Sequence, residues 1–401
     1  MVIAGIKAND IDLYHKIVHA HWLHQEMELL TKITFAMLLL QVVCDTDVDS
    51  QSKREVIESK KAVMESLGLQ YAPRTIPSQS DFLLRRFSAP KFMMGLFKEV
   101  SSDVNLTDEH YQIERRILDE SKADTVISFF NYDHDRSWNR IHEEFKIKFK
   151  TKFNPQDDVQ GGELKIFKRL PRNKNITHAN CSMSVFLILS DGGTKHIDKL
   201  NVNASESGWL TFNITAAIKL WALFPLSNHG LMVVVRHAHE TLSPHYFGIV
   251  STRGNLGKRP YLVGFVTTNR VLSPFTHEVS GSLRQRRAAK KYQPQGSSNA
   301  CKLKKFYVDF RDVGLHNTII APKGYDMFFC KGTCSYPLES EKSTLHAELQ
   351  SLLSIDPNSG VSDPCCVPGN LKSVNLLFFN NEGNIVLKNH PDMIATSCVC
   401  H

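Results

Sequence analysis

Cysteine is nearly missing from the first three quarters of this chain. Of nine cysteines, only Cys44 and Cys181 precede residue 301, and the other seven lie between Cys301 and Cys400. No pair has the C-x2-C spacing typical of structural zinc sites, so a zinc ribbon has no framework here. G-x-S-x-G, H-E-x-x-H and glycine-rich phosphate loops are also absent, which removes the local signatures of serine hydrolases, zinc peptidases and nucleotide enzymes. No apolar run reaches the roughly 20 residues that a membrane-spanning helix needs. Tryptophan stops at Trp221, and no N-x-Ser/Thr sequon follows residue 287. The net charge of +7 is not concentrated at the C-terminal end: from Ala288 onward ten Lys and one Arg face six Asp and four Glu, a net of +1. A general nucleic-acid reading of the basic balance therefore has little support. Apolar and charged fractions, 42% and 22%, are those of a globular chain, and its length predicts two or three domains.

What is present is a cysteine framework. Cys330-Lys331-Gly332-Thr333-Cys334 is answered by Cys398-Val399-Cys400 and by the vicinal pair Cys365-Cys366, with Cys301 opening the segment. In a strand, residues i and i+2 share a side, so Cys398 and Cys400 present two sulfurs on one face. Gly332 permits close backbone approach between Cys330 and Cys334, and two bonds joining these pairs would close a small ring. Successive extended residues point to opposite faces, so one of Cys365 and Cys366 turns inward and the other outward. Seven thiols leave one over, which in a secreted domain predicts a bond to another chain. The count alone allows about 7 × 15 pairings, and the residues do not choose among them.

The segment Cys301–His401 resembles the mature domain of a transforming growth factor-beta superfamily ligand, in its bone morphogenetic protein branch. The likeness rests on Tyr307-Val308-Asp309-Phe310 with Asp312-Val313-Gly314, Ile320-Ala321-Pro322-Lys323-Gly324-Tyr325, the Cys330–Cys334 ring, Pro364-Cys365-Cys366-Val367-Pro368, Val386-Leu387-Lys388-Asn389 and Cys398-Val399-Cys400-His401. The resemblance implies disulfides Cys301–Cys366, Cys330–Cys398 and Cys334–Cys400, with Cys365 bridging two protomers. The stretch Ser88-Ala89-Pro90-Lys91-Phe92-Met93 and the terminal Cys-x-Cys-His are similar to the five-to-eight subgroup. The fold class expected is mostly β. A C-terminal cystine-knot growth-factor domain of two β-ribbons and one helix follows a mixed α/β prodomain with an antiparallel β arm.

From the start, residues 1–44 read as an upstream segment and signal peptide. Lys32 precedes about a dozen uncharged residues, Ile33–Cys44, the shape of a secretory signal, which predicts translation from Met27; a buried helix is the alternative. Residues 45–272 form the expected prodomain. Val56, Ile57, Val63, Met64 and Leu67 stand at helical spacing within 53–67, Pro73 and Pro77 mark a loop, and Ser88-Ala89-Pro90 opens a helix carrying Phe92, Met93, Leu96, Phe97 and Val100. Such stripes are ordinarily core faces; the resemblance implies that an early helix and proline loop wrap the growth factor. Short strands are expected at Thr125–Tyr132, Phe145–Lys150, Glu163–Arg169, Met183–Leu189, Trp209–Ile214, Leu231–Arg236 and Tyr261–Thr267, with a helix at Thr215–Leu223, together forming one antiparallel domain. Sequons at Asn105, Asn175, Asn180, Asn203 and Asn213 place glycans there. Cys181 is either buried and inert or makes an extra bridge. His237, His239, Glu240 and His245 could hold a metal but read as an ordinary loop, and no metal is expected.

Residues 273–300 have linker composition and contain Arg284-Gln285-Arg286-Arg287. A basic run is most often a solvated segment, but Arg284, Arg286 and Arg287 match the pattern of furin-like convertases, so cleavage after Arg287 would release a mature chain 288–401. Lys290, Lys291, Lys302, Lys304 and Lys305 suit either sulfated glycans or simple solubility. Two ribbons are expected, about 305–330 and 371–399, the second turning at Asn380–Asn384, with a helix at Ser343–Ser354 whose Leu345, Leu349, Leu352 and Leu353 share a face. Each bridge would close a loop of about 65 residues, worth roughly 4 kcal/mol in the chain-entropy model. The uncovered helix implies a second protomer. Leu376-Leu377-Phe378-Phe379 makes both faces of a ribbon apolar, and an exposed apolar patch commonly marks a binding surface. The resemblance assigns Ala321, Asn375, Leu377 and Leu387 to the type II receptor surface, packing against the dimer being the alternative. It assigns Leu315, Thr318, Ile320 and Leu338 to the type I surface, where Leu315 and Thr318 replace two tryptophans usual in the branch. The implied function is a secreted, extracellular, dimeric growth factor binding type I and type II serine/threonine kinase receptors to trigger SMAD signalling in development. A signalling-poor antagonist or heterodimer-only subunit is the alternative. Neither an enzyme nor a cofactor is expected, and the remaining partners are the chain's own prodomain and the convertase.

Overall fold

The structure, a computed structural model, describes residues 58–65, 67, 69, 86–101, 123–129, 145–155, 157–171, 179–238, 240–268, 300–338 and 343–401. The signal at 27–44, Cys44, the Pro73–Pro77 loop, Asn105, Asn175, His239, Arg284–Arg287, Lys290 and Lys291 lie outside the described residues. Residues 58–65 form a unit of their own within the expected 53–67 helix, with Lys61 and Glu65 one turn apart at 3.9 Å.

Helix α1 spans Ser88–Ser101. Pro90 sits in its first turn, where a missing N–H is harmless, and Phe92, Met93 and Leu96 recur at helical spacing on its buried side. The upstream strands are β1 (Thr125–Phe129), β2 (Phe145–Ile147), β3 (Asp157–Lys168), β4 (Asn180–Ile188), β5 (Thr194–Asn203), β6 (Gly208–Asn213), β7 (Leu231–His237), β8 (Glu240–Leu242) and β9 (Tyr261–Thr268), with helix α2 (Thr215–Leu223) after β6. In β4 alternate residues Cys181, Met183, Val185 and Leu187 are buried, the period-2 pattern of a half-covered strand. Strands β5 and β8 were not expected; β5 is polar because it is the outer strand of its sheet.

The downstream segment holds β10 (Lys302–Lys304), β11 (Tyr307–Asp309), β12 (Ile319–Ala321), β13 (Gly324–Asp326), β14 (Phe329–Lys331), helix α3 (Leu345–Leu353), β15 (Cys366–Phe379) and β16 (Ile385–Cys400). Thr344 caps α3, its Oγ1 accepting the Ala347 N–H at 3.2 Å. Strands β15 and β16 form one long ribbon from Cys366↔Cys400 to Phe379↔Ile385. Its turn is closed by the Asn380 Oδ1, which accepts the Glu382 and Asn384 N–H groups, and by Gly383 at φ 77°. The first ribbon is not continuous: β10 pairs β14, β11 pairs β13, and β12 leaves to pair β15.

The antiparallel β arm is built of two sheets, one of which it shares with the ligand segment. Four strands (β2, β7, β4, β5, in that order) and the flanking β8 make one sheet, while the other runs β12-β15-β16-β1-β9-β3-β6. Its first three strands belong to the ligand segment and its last four to the arm. Both edges of β1 are occupied, by β16 and β9, which explains why all five of its residues are buried.

Candidate partner-binding surfaces

The six cysteines pair as Cys301–Cys366, Cys330–Cys398 and Cys334–Cys400, spanning 65, 68 and 66 residues. A Cβ at Gly332, whose φ is +146°, would stand 2.3 Å from the Ala300 carbonyl oxygen and 2.6 Å from the Cys301 nitrogen. Only glycine lets the Cys301 segment pass so close to the ring. Cys365 is exposed and unbonded. Cys181 is buried and makes no bridge; burial pushes its thiol up, against the pull of Lys168. The Lys168 ammonium, itself pushed down by burial, donates to the carbonyls of Glu206 at 2.6 Å and Ala204 at 2.7 Å.

The four type II positions converge on one place. Registers align Phe265 (β9), Val126 (β1), Leu387 (β16), Leu377 (β15) and Ala321 (β12) in a single row across the shared sheet. Opposed side chains in antiparallel strands share a face about 5 Å apart. A parallel row joins Val263, Ser128, Ile385 and Phe379. Helix α1 lies on these rows: Phe87, Ala89, Phe92, Met93 and Leu96 form one apolar cluster with Tyr261, Val263, Phe265, Val126, Leu377, Phe379, Ile385 and Leu387, and Ala321 packs at its margin. Leu377 is 0% and Leu387 4% exposed, so the face of the apolar ribbon that carries Leu377 and Phe379 is covered by the upstream domain. Each such side chain removed from water contributes about 1.5–3 kcal/mol.

Polar groups fasten the rim. The Asn375 Nδ2 donates to the Val100 carbonyl of α1 at 3.5 Å, and the Asn389 Nδ2 donates to the Asn375 Oδ1 at 2.8 Å. The Asn389 N–H donates to the Asp124 carbonyl at 2.9 Å. The Asp124 carboxylate accepts the Thr125 hydroxyl at 2.7 Å and the Thr268 N–H at 3.1 Å, so one residue ties β9, β1 and β16 together. The Ser128 hydroxyl donates to the Ile385 carbonyl at 3.3 Å, and Lys152 meets Glu382 at 2.8 Å on the surface. Asp157 sits near Lys388 and Asp124; burial raises its carboxyl above the ordinary value, and the Asn154 N–H and Lys388 pull it back. Asp124, Val126 and Ser128 escaped the sequence reading because no local pattern links residue 128 to residue 385. The unalternating run Ile385-Val386-Leu387 was the one available signal.

The type I positions, like the type II positions, are largely out of solvent in this structure. Leu315 and Thr318 are 4% and 3% exposed and lie in a turn in which the Leu315 N–H donates to the Phe310 carbonyl at 2.8 Å and the Ile319 N–H to the Leu315 carbonyl at 2.9 Å. What this loop shows to solvent is Arg311–Gly314, His316 and Asn317. Ile320 packs beside Ala321 against the α1 cluster, and Leu338 is half-buried. On α3, Leu345 is 72% exposed and Leu349, Leu352 and Leu353 are 47–55% exposed, an apolar helix face with nothing on it among the described residues.

Asn180 and Asn213 are exposed, and Asn203 stands opposite Asn180 in register, its Oδ1 accepting the Ser205 N–H. The His237 Nδ1 lies 3.2 Å from the Asn180 carbonyl and His245 stacks edge-on with Tyr246. Among the described residues the one compact set of metal-type donors is Cys301, Cys334 and Cys400, all spent in disulfides. No helix among them is long and apolar enough to cross a membrane.

Comparison with known proteins bears on both halves. Residues 41–265 match the TGF-beta propeptide family and residues 300–400 the transforming growth factor beta like domain. Protein 60A of Drosophila melanogaster is 25% identical over 406 residues, covering 87% of this chain and 88% of that protein. Bone morphogenetic protein 8B of Mus musculus is 26% identical over 377 residues, covering 87% and 91%, and bone morphogenetic protein 8A of Homo sapiens 27% over 375 residues, covering 87% and 90%. The relatives are growth factors rather than enzymes. With a propeptide, a three-bridge ligand domain and relatives along most of its length, the chain belongs to the transforming growth factor-beta superfamily, in its bone morphogenetic protein branch.

Proposed function

We propose that the chain is the secreted, extracellular precursor of a dimeric ligand that binds type I and type II serine/threonine kinase receptors and triggers SMAD signalling in development. A furin-like convertase cuts after Arg287 in the linker 273–300, after removal of a signal at about 27–44, and separates the prodomain (45–272) from the mature chain 288–401. The prodomain carries the glycans, at Asn105, Asn175, Asn180, Asn203 and Asn213. The exposed leucine face of α3 supports burial against a second protomer, and exposed Cys365 supports a covalent bond between the two.

One observation carries the reading. The positions assigned to type II receptors, Ala321, Asn375, Leu377 and Leu387, are those against which α1 and β1 pack. The prodomain is thus a partner of its own ligand and competes for the same surface. The test is receptor binding by the isolated mature dimer and by the cleaved, still associated complex. A type II ectodomain should bind the isolated dimer at least about tenfold more tightly, a difference of about 1.4 kcal/mol; equal affinities would overturn the competition.

The heterodimer-only alternative is favoured by a separate observation, the burial of Leu315 and Thr318 where relatives in this branch carry tryptophan. A loop without exposed aromatic anchors forgoes hot-spot contacts worth at least about 2 kcal/mol each. The homodimer should bind type I ectodomain about 30-fold more weakly than a heterodimer with a tryptophan-bearing relative; equal affinity removes this reading.

A further inference from the structure

Beyond the last pair of the long ribbon, Cys366↔Cys400, the ladder continues one step. The Cys365 N–H donates to the His401 carbonyl at 2.9 Å, and the His401 N–H donates to the Cys365 carbonyl at 2.9 Å. Residues that exchange both bonds stand directly opposite, with Cα atoms about 5.5 Å apart, and their side chains project to the same face. The neighbouring pair projects to the other face, where Cys366 bonds Cys301 and Cys400 bonds Cys334. One thiol and one imidazole, both exposed, therefore share the side of the ribbon facing away from the knot. Two acidic groups stand on the adjoining segments. Asp363 accepts the Ser354 hydroxyl, and Glu348 accepts the hydroxyl of Ser343, the residue bridged to Cys400. The next pair on the same face, Val367↔Val399, is apolar.

We propose that His401 is the proton acceptor that readies Cys365 for the bond between protomers. This rests on the reading of Cys365 as the interchain cysteine and assigns the chemistry of its closure. Thiols react as thiolates, and imidazole is the side chain that exchanges protons near neutral pH. The Cys365 Sγ–H proton passes to the His401 ring, and the thiolate attacks one sulfur of a disulfide oxidant, R–S–S–R. A mixed disulfide forms and R–S⁻ leaves, taking up the proton. The Cys365 thiolate of the second protomer, readied in the same way, attacks the mixed disulfide, forming the Cys365–Cys365 bond and expelling the second R–S⁻. Two protein thiols are oxidised and one oxidant disulfide is reduced to two R–SH.

The full-length secreted dimer is the material for the test. Mild reduction opens the exposed interchain bond while mass measurement confirms that the three bridges within each chain stay closed. Re-oxidation by oxidised glutathione is then followed by non-reducing electrophoresis across neutral to alkaline pH. His401→Ala and His401→Gln should both slow closure about tenfold near neutral pH, move the rate profile up by about one pH unit, and converge with the parent at alkaline pH, where the thiol ionises unaided. A displaced strand end would slow closure at every pH, and that outcome, like an unchanged rate and profile in both variants, overturns the role of His401. A covalent dimer persisting in Cys365→Ser would overturn the interchain assignment itself.

Discussion

The arm and the ligand bury their apolar side chains in different ways. Leu164, Ile166, Met183, Val185, Phe212, Leu231, Val233 and Val235 are buried within arm strands that hold no disulfide. The ligand has three disulfides, and four of its largest buried side chains, Leu377, Phe379, Ile385 and Leu387, are buried in a cluster completed by the arm. A ribbon of two strands cannot cover both of its own faces, so bridges supply the rigidity and a second body supplies the cover. Bridges and cover are separate, so the bridged ribbon is expected to hold its fold when the cover is removed.

The strongest way to break this division is at the bridges. Cys330→Ser removes one staple, which typically costs about 2–5 kcal/mol. The ligand should lose its folded state while the arm keeps its own; limited proteolysis of the secreted or refolded product reads this, and an arm that unfolds with the ligand would merge the two regions into one cooperative unit. Next comes the cover. Phe92 is 4% exposed within the shared cluster, and Phe92→Ala should weaken binding of the cleaved prodomain to the mature dimer by about 150-fold, at the low end of the roughly 3–5 kcal/mol for a buried phenylalanine. Titration of separated prodomain onto immobilised ligand measures it, and an unchanged affinity would assign the cluster to stability alone.

Smaller effects sharpen the seam. Burial raises the Asp157 carboxyl above its ordinary value, so folding disfavours the ionised form relative to the protonated one. Its contribution is full below the unfolded value and lost as pH rises through the folded one. Asp157→Asn should therefore raise the melting temperature slightly at neutral pH, and the gain should vanish as pH falls toward 4. A loss at neutral pH would mean that the attraction to Lys388 outweighs burial. The Lys152–Glu382 pair, with Lys152 74% exposed, should matter least: Lys152→Ala leaves prodomain affinity unchanged at physiological salt, and a measurable loss would make the seam more electrostatic than its apolar rows imply.

Much of this was legible in the sequence where the signal is local. Helix α2 was read with its ends in place, α1 from its start, and most arm strands to within a few residues, because periodicity and turn residues are encoded nearby. The cysteine spacing marked the ligand, although the pairing came from family likeness. The joining of Thr125–Ser128 to Ile385–Lys388 was not legible, since the Ser128–Ile385 bond closes a separation of 257 residues and no periodicity spans that distance. Strand β5 was missed because an outer strand reads as polar loop. The burial of Leu315 and Thr318 was not legible either, since their place came from likeness to a family position and not from any pattern in the residues.

Hydrogen exchange, resolved by mass spectrometry, tests most directly whether arm and ligand share one sheet. The cleaved but associated complex is compared with the separated prodomain and mature dimer. Backbone amides in Thr125–Ser128 and Ile385–Asn389 should be protected together in the complex and lose protection together on separation, while amides of β4 and of the Cys366–Cys400 end of the ribbon stay protected throughout. Equal protection of Ile385–Asn389 before and after separation would contradict the shared sheet.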